Sequence, residues 1–254
     1  ALLLVDNGSS PGSYAKLEQR FSEIELCRLE TNRGYAGGWN AGMWQALKAA
    51  PAGLFFASND CEFQAGVVEA CASLARETGA ALVAPRILER RNPERIHSYG
   101  GHFHKETYQL EHYQEAVGST FLGDGDYVPG SAFWISAEVL QRLGGMDESY
   151  FCYWEDVDYS TRARAAGFKL ARCNDATLLH EGRGTTGKKP LYTTYYYWRN
   201  RIRFCRQHLS AEAWENARRQ LGKELVNLEK RWAARQDSLR LAYLPALRSA
   251  LHPE

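Results

Sequence analysis

Short apolar runs alternate with stretches of helical period along most of this 254-residue chain. "ALLLV" (1–5) reads as a strand, residues 14–21 as a helix, and "IELCRLE" (24–30) as a second strand. "GGWNAGMWQALKAA" then sets Trp39, Met43, Ala46 and Leu47 on one stripe, the i, i+4, i+7, i+8 spacing of an amphipathic helix. "GLFFAS" (53–58) predicts a third strand, Val67–Thr78 a helix, and "ALVAP" (81–85) a fourth strand. This alternation is the signature of βα units. It predicts an α/β fold: a mostly parallel mixed sheet of Rossmann-like type, flanked by helices.

Between Arg86 and Asp126 the period is lost, and charged, aromatic and Gly residues mix as in a variable surface segment. Regularity returns with "GSAFWIS" (130–136) as a strand and Ala137–Leu143 as a helix stopped by Gly144-Gly145. "FKLARC" (168–173) and "ATLLH" (176–180) read as two further strands. Beyond Pro190 the pattern is helical to near the end, with Gly222 and Pro245 as its interruptions. The expected division is an α/β domain over 1–189 and a helical extension over 190–254.

Charge adds an asymmetry to this picture. The formal net charge of +1 gives no reason to expect nucleic acid as a partner, yet Arg199 to Arg248 holds twelve Lys/Arg against five Asp/Glu. That stretch carries +7, and the remainder −6. The six cysteines, Cys27, Cys61, Cys71, Cys152, Cys173 and Cys205, have neither CxxC pairing nor zinc-type spacing, which reads as a reduced, cytoplasmic protein. "ALLLV" is too short for a signal-peptide core, and no apolar run reaches the roughly 18 residues of a membrane span.

Candidate chemistry gathers at the predicted strand ends, where open sheets deliver ligand-binding residues. The first ends in Asp6-Asn7-Gly8-Ser9, the third in Asn59-Asp60-Cys61-Glu62, and "ATLLH" in His180. Each alone is also ordinary turn composition. "TNRGYAGGWNAG" (31–42) sets four glycines before and within a helix start, which suits a ligand loop and a plain turn equally. Asp60 with Glu62 can hold a hard divalent cation, and His180 can add a nitrogen, although a capped or solvated His fits a strand end as well. In "SYFCYWEDVDYSTRARAAGF" (149–168), Tyr150, Phe151, Tyr153 and Trp154 precede Glu155, Asp156 and Asp158. Acids in a first helical turn are favourable, and Asp158 with Arg162 makes an i, i+4 pair. A carboxylate beside an aromatic wall can instead acquire a raised pKa and take a proton.

Together, "VDNGSS", "NRGYAGGWNAG", "SNDCEF", "VPGSAFWIS…LGGMDESYFCYWEDVDYSTRARAAGF", "ATLLHEGRGTT" and "YYYWRNRIRF" resemble, in order, a family 2 glycosyltransferase of GT-A fold. The similar branch contains bacterial rhamnosyltransferases of polysaccharide assembly. The resemblance implies a hexosyltransferase-type inverting transfer from a nucleotide-sugar donor, linked to UDP, dTDP or GDP, to a hydroxyl of a saccharide or lipid-linked acceptor. Asp6 matches the acid that recognises the base, with Asn7 and Ser9 in the same loop. Arg33, Gly34 and the segment to Asn40 match the loop along the nucleotide and diphosphate. Asp60 matches the metal-binding acid, His180 the later metal ligand for Mn²⁺ or Mg²⁺, and Asp156, after Glu155, the catalytic base, with Glu155 the next catalytic candidate. Tyr153 and Trp154 would shape the acceptor pocket.

Two departures stand out. Only Asp60 sits firmly in the acidic motif, with Glu62 as a weaker substitute, and the apolar strand that usually precedes "VDNGS" in the family is not seen. These features define the competing reading, a non-catalytic nucleotide-sugar-binding module of a larger assembly. In the basic tail, Leu221, Leu225, Leu228 and Trp232 form one apolar stripe, expected to pack on the catalytic domain or a second subunit, or to rest on the inner face of the cytoplasmic membrane.

Overall fold

The apolar runs form strands where the pattern places them. The computed structural model describes every residue except 11, 13, 14, 16–18, 21, 22, 116, 117, 182–190, 253 and 254. The helix expected over 14–21 falls mostly outside the described residues, and the boundary at 189 lies wholly outside them. Strands β1 (Leu3–Asn7) and β2 (Glu25–Leu29) pair in parallel, with Asp6 opposite Arg28. A larger sheet runs β3 (Gly53–Ala57), β10 (Ala132–Ser136), β5 (Ala80–Glu89), β11 (Lys169–His180), β4 (Cys61–Phe63), and β6 (Asn92–Ser98) also pairs with β5.

In this sheet β5 and β11 run parallel, whereas the β3–β10, β10–β5, β4–β11 and β5–β6 pairs are antiparallel. Antiparallel pairing exceeds what βα alternation suggests because β4 and β6 turn straight back after short connections and β10 enters between β3 and β5 in the opposite direction. Strands β7 (Gly101–His104), β8 (Gln109–His112) and β9 (Asp126–Tyr127) also lie in the stretch that reads as irregular, β7 and β9 pairing antiparallel. Their shortness gives period-2 alternation too few residues to show. The two late runs are one strand, β11, whose irregularity between Cys173 and Thr177 interrupts the apolar pattern.

Alternation along the strands divides the core between two faces. On one, Leu82, Phe133 and Ile135 meet Trp39 and Met43 of α1 (Gly34–Leu47), Val139 and Leu140 of α3 (Ala137–Leu143), and Tyr159 and Ala163 of α4 (Glu155–Ala165). On the other, Val83, Ile87, Trp134 and Leu178 meet Val67, Cys71 and Ala75 of α2 (Val67–Thr78). Glycines let α1 lie close on β1. A Cβ at Gly38 would come within 2.9 Å of Asn7 Nδ2, and one at Gly42 within 2.6 Å of Val5 Cγ2.

Internal contacts divide the chain into two compact units, Ala1–His102 with Glu111–Gly182, and Phe103–Leu110 with Arg183–Glu254. The second contains α5 (Leu191–His208), α6 (Ala211–Ala234), α7 (Ser238–Leu241) and α8 (Leu244–Leu251). Gly222 lies inside α6 without breaking it, and Pro245 sits in the first turn of α8. The breaks fall instead before the Ser210 and Asp237 N-caps, whose side chains accept from Ala213 N and Arg240 N. The apolar stripe Leu221, Leu225, Leu228 and Trp232 is buried, and α8 packs on α6 with Leu244, Leu247 and Leu251 buried in turn. The stripe is therefore covered within this unit and is not available to a membrane.

Candidate active site

Topology brings His180 to the acid at the end of β3. Because β4 turns back and pairs with the end of β11, Cys61 lies opposite His180 in the register. His180 Nε2 is 3.1 Å from Asp60 Oδ1, and Ser58 Oγ donates to the same oxygen at 2.7 Å. The His180 hydrogen bond is the largest cause holding the Asp60 carboxyl well below the usual range, with Ser58 adding to it against burial. Cys61 completes the group: one ligand atom each from Asp60, Cys61 and His180 lie within 4.8 Å of one another. Glu62 does not join it, since its carboxylate is half exposed and 3.2 Å from Arg90 Nε. A thiol thus stands where a second acid was expected.

These residues fit a divalent cation. An oxygen, a sulfur and an imidazole nitrogen converge within 4.8 Å, and this donor set suits a divalent cation. Burial raises the Cys61 thiol pKa, the Ser58 hydrogen bond opposing, so the uncomplexed thiol keeps its proton.

The acidic pair at the start of α4 lies across the "VPGS" segment. Phe151, Tyr153 and Trp154 precede it with φ of 63°, 69° and 75°, a left-handed run without glycine of the kind found at functional sites. Asp156 Oδ2 accepts from Gly130 N at 2.8 Å, and Oδ1 from Val157 N at 2.9 Å. Glu155 is buried, and its Oε2 has no partner. Burial raises the pKa of both, with the Asp156 charge adding to Glu155 and the Gly130 and Val157 amides opposing the rise at Asp156. The two amides thus favour the charged form of Asp156.

The same segment reaches the cation group. Ser131 O accepts from Ser58 N at 2.8 Å and from Cys61 Sγ at 3.6 Å. Gly130 O accepts from the Tyr35 hydroxyl. Burial raises the Tyr35 pKa well above its ordinary value, and Glu155, Asp156, Cys61 and Asp60 all add to the rise, which places this phenol between the two acidic groups. Tyr35, Gly130, Ser131 and Cys61 are site residues that pattern reading missed. Their signal was their position inside "NRGYAGG", "VPGS" and "NDCEF". Tyr153 is half-buried and Trp154 only 1% exposed, so Trp154 supports the turn from within.

At the end of β1 the candidate donor-binding residues form a brace. Asp6 Oδ1 accepts from Ser9 N at 3.0 Å, and Asp6 Oδ2 is 3.5 Å from Arg28 Nε. Asn7 clamps the start of α1, donating to Gly34 O at 2.7 Å and accepting from Arg33 N at 2.9 Å. Gly34, at φ 73°, has no room for a Cβ, which would lie 2.3 Å from Phe151 O. Arg33 pairs with Glu148 at 2.6 Å. Asn40 is buried and spent on the "GMDE" loop, donating to Met146 O at 2.9 Å and Glu148 Oε1 at 3.0 Å and accepting from Met146 N at 2.8 Å. Asn7 and Asn40 thus shape the loop between the first strand and the acidic turn.

Comparison with known families shows that residues 1–144 match the model for glycosyl transferase family 2. The chain belongs to glycosyl transferase family 2. Glu155, Asp156 and His180 lie beyond the matched residues, so their part in the site rests on geometry. Among curated relatives, the low-salt glycan biosynthesis hexosyltransferase Agl10 of Haloferax volcanii is 25% identical over 219 residues, 79% of this chain and 65% of that protein. An N-acetylglucosaminyl-diphospho-decaprenol L-rhamnosyltransferase of Mycobacterium tuberculosis is 27% identical over 213 residues, 75% of this chain and 69% of that one. The chain thus spans about two thirds of the length of these relatives.

Solved structures carry the fold of this family 2 member. GalNAc-T7 with UDP, GalNAc and Mn²⁺ superposes at a TM-score of 0.56 and 15% identity, covering 78% of this chain and 40% of that one. The mannosyltransferase PcManGT of Pyrobaculum calidifontis, in complex with GDP-Man and Mn²⁺, gives 0.53 and 15%, covering 99% and 78%. The fold is a GT-A glycosyltransferase fold. No helix among the described residues is long and apolar enough to cross a membrane.

Proposed function

We propose that the chain is an inverting glycosyltransferase that moves a hexose from a nucleotide-sugar donor to a hydroxyl of a saccharide or lipid-linked acceptor in cell-surface polysaccharide synthesis. One observation carries this reading: Gly130 and Ser131 bind Asp156 on one side and the Asp60–Cys61 turn on the other. A base and a charge-neutralising group then flank one short segment, as displacement at a sugar carbon requires.

Asp156 is the base. Ionised, it takes the acceptor hydroxyl's proton while the sugar leaves its nucleoside diphosphate, and the Gly130 and Val157 amides keep it oriented. Asp60 and His180 would hold Mn²⁺ or Mg²⁺, which supplies positive charge against the departing diphosphate. Asp6, Ser9 and Arg33 border the nucleotide, with Asn7, Gly34 and Asn40 setting the loop behind it. The name of the Mycobacterium tuberculosis relative supports a lipid-linked acceptor, and the UDP- and GDP-Man-bound neighbours support a nucleotide donor. A lipid-linked acceptor further implies peripheral contact with the inner face of the membrane.

Asp156→Asn removes proton acceptance at nearly constant shape. Transfer, followed as donor-dependent release of nucleoside diphosphate, should fall by about 10²–10⁴ with donor affinity nearly intact. Near-normal turnover would place the base elsewhere.

A further inference from the structure

The cation group contains one donor of a different chemical kind. Asp60 and His180 are an oxygen and a nitrogen, but Cys61 contributes sulfur, and all three ligand atoms lie within 4.8 Å. Cys61 is free, partly buried, and turned toward its neighbours: Sγ is 3.4 Å from Ser58 Oγ, and that hydroxyl also donates to Asp60 Oδ1 at 2.7 Å. One serine therefore ties the thiol and the carboxylate into a single cluster. The antiparallel register that sets Cys61 opposite His180 fixes the thiol on the imidazole side. Glu62, the alternative acid, is held by Arg90.

We infer that Cys61 is a ligand of the cation site and shifts its preference from Mg²⁺ toward transition-metal ions such as Co²⁺ and Zn²⁺. This rests on the proposed cation role of Asp60 and His180. The chemistry is that of donor softness. Thiolate and imidazole favour the later divalent ions, whereas a site of carboxylate and water oxygens suits Mg²⁺. On binding, a sulfur–metal bond forms as the S–H bond breaks, and the proton leaves to solvent without change of oxidation state. The contact from Cys61 Sγ to Ser131 O is given up, while the single Ser58 hydroxyl proton stays on Asp60 Oδ1 or turns to the sulfur.

Co²⁺ is the probe, titrated into the metal-stripped full chain while near-ultraviolet thiolate-to-cobalt absorption is recorded, with Mg²⁺ affinity measured separately by calorimetry. The expected result is a charge-transfer band in the unaltered chain that is lost in Cys61→Ser, together with about tenfold or greater loss of Co²⁺ affinity and little change for Mg²⁺. A chain that binds Co²⁺ with no such band, or a band that survives in Cys61→Ser, overturns the assignment. Should Cys61→Ser fail to fold, alkylation of Cys61 in the unaltered chain, read by peptide mass spectrometry, replaces it. Co²⁺ should slow that alkylation by about tenfold or more, and an unchanged rate overturns the assignment. Asp60→Ala separates the two levels of argument. If both ions still bind to Asp60→Ala, the cation site itself is misplaced. If both are lost there while Cys61→Ser keeps its Co²⁺ band, only the thiol's part fails.

Discussion

Glu155 and Asp156 are adjacent carboxyl groups in unlike surroundings. Two amides face Asp156, whereas Glu155 Oε2 is buried without a partner, so burial lifts the Glu155 pKa with less to oppose it. Above the ordinary carboxylate pKa of about 4.3, the unfolded chain releases a proton that folded Glu155 retains. Stability falls as pH rises through that window, because the native state then binds more protons than the unfolded one. Glu155→Gln mimics the protonated acid. Its Tm should decline less than that of the unaltered chain between roughly pH 5 and 8, and most turnover should persist. Thermal unfolding across a pH series checks the first expectation, and an unchanged slope would mean Glu155 is ionised in the native state. By residue type and place in the first helical turn these two acids are indistinguishable. Their difference is made by Gly130, 26 positions away from Asp156.

Among the elements, α5 and α6 share one buried ion pair. Arg201 is 2% exposed, donates to Glu224 at 2.8 and 3.1 Å, and also reaches the Tyr108 and Thr107 carbonyls at 2.6 and 2.7 Å. Glu224→Ala leaves a buried guanidinium without its counter-charge. A loss of about 3 kcal/mol is expected in denaturant unfolding, and a change below about 1 kcal/mol would show that the pair is solvated. Elements with a full period were legible: α2 and α3 lie where Val67–Thr78 and Ala137–Leu143 predicted them. Those that failed had local reasons. The irregularity in β11 masks its continuity, β7 to β9 are too short to alternate, and Gly222 sits inside α6 at a helical position where a Cβ would also fit, Leu251 Cδ1 lying 4.0 Å from it.

For the whole molecule, the ordered motifs revealed the family and the fold, but not which residues of each motif face chemistry. Asn40 sits in the most recognisable motif and is consumed by internal hydrogen bonds, whereas Cys61 interrupts the acidic motif and joins the cation group. Only the chain path past Gly130 and His180 makes that distinction. The same holds for the basic tail. Its apolar stripe is internal, but Arg219, Lys223, Lys230, Arg231 and Arg235 are exposed and can meet an anionic surface. Each cation near an anionic surface contributes on the order of 1 kcal/mol. The intact chain should co-sediment with anionic but not neutral liposomes at low salt. High salt, or Lys223→Glu with Arg231→Glu, should release it. Equal pelleting of both vesicle types, or none, would count against a charge-based anchor.

The left-handed run at Phe151, Tyr153 and Trp154 has a consequence for anyone reshaping this protein. Glycine would adopt those angles at less conformational cost, so on backbone grounds alone each position would gain from losing its aromatic ring. The rings buttress the turn that presents Glu155 and Asp156. A search for thermal tolerance and a search for turnover would therefore pull this segment in opposite directions.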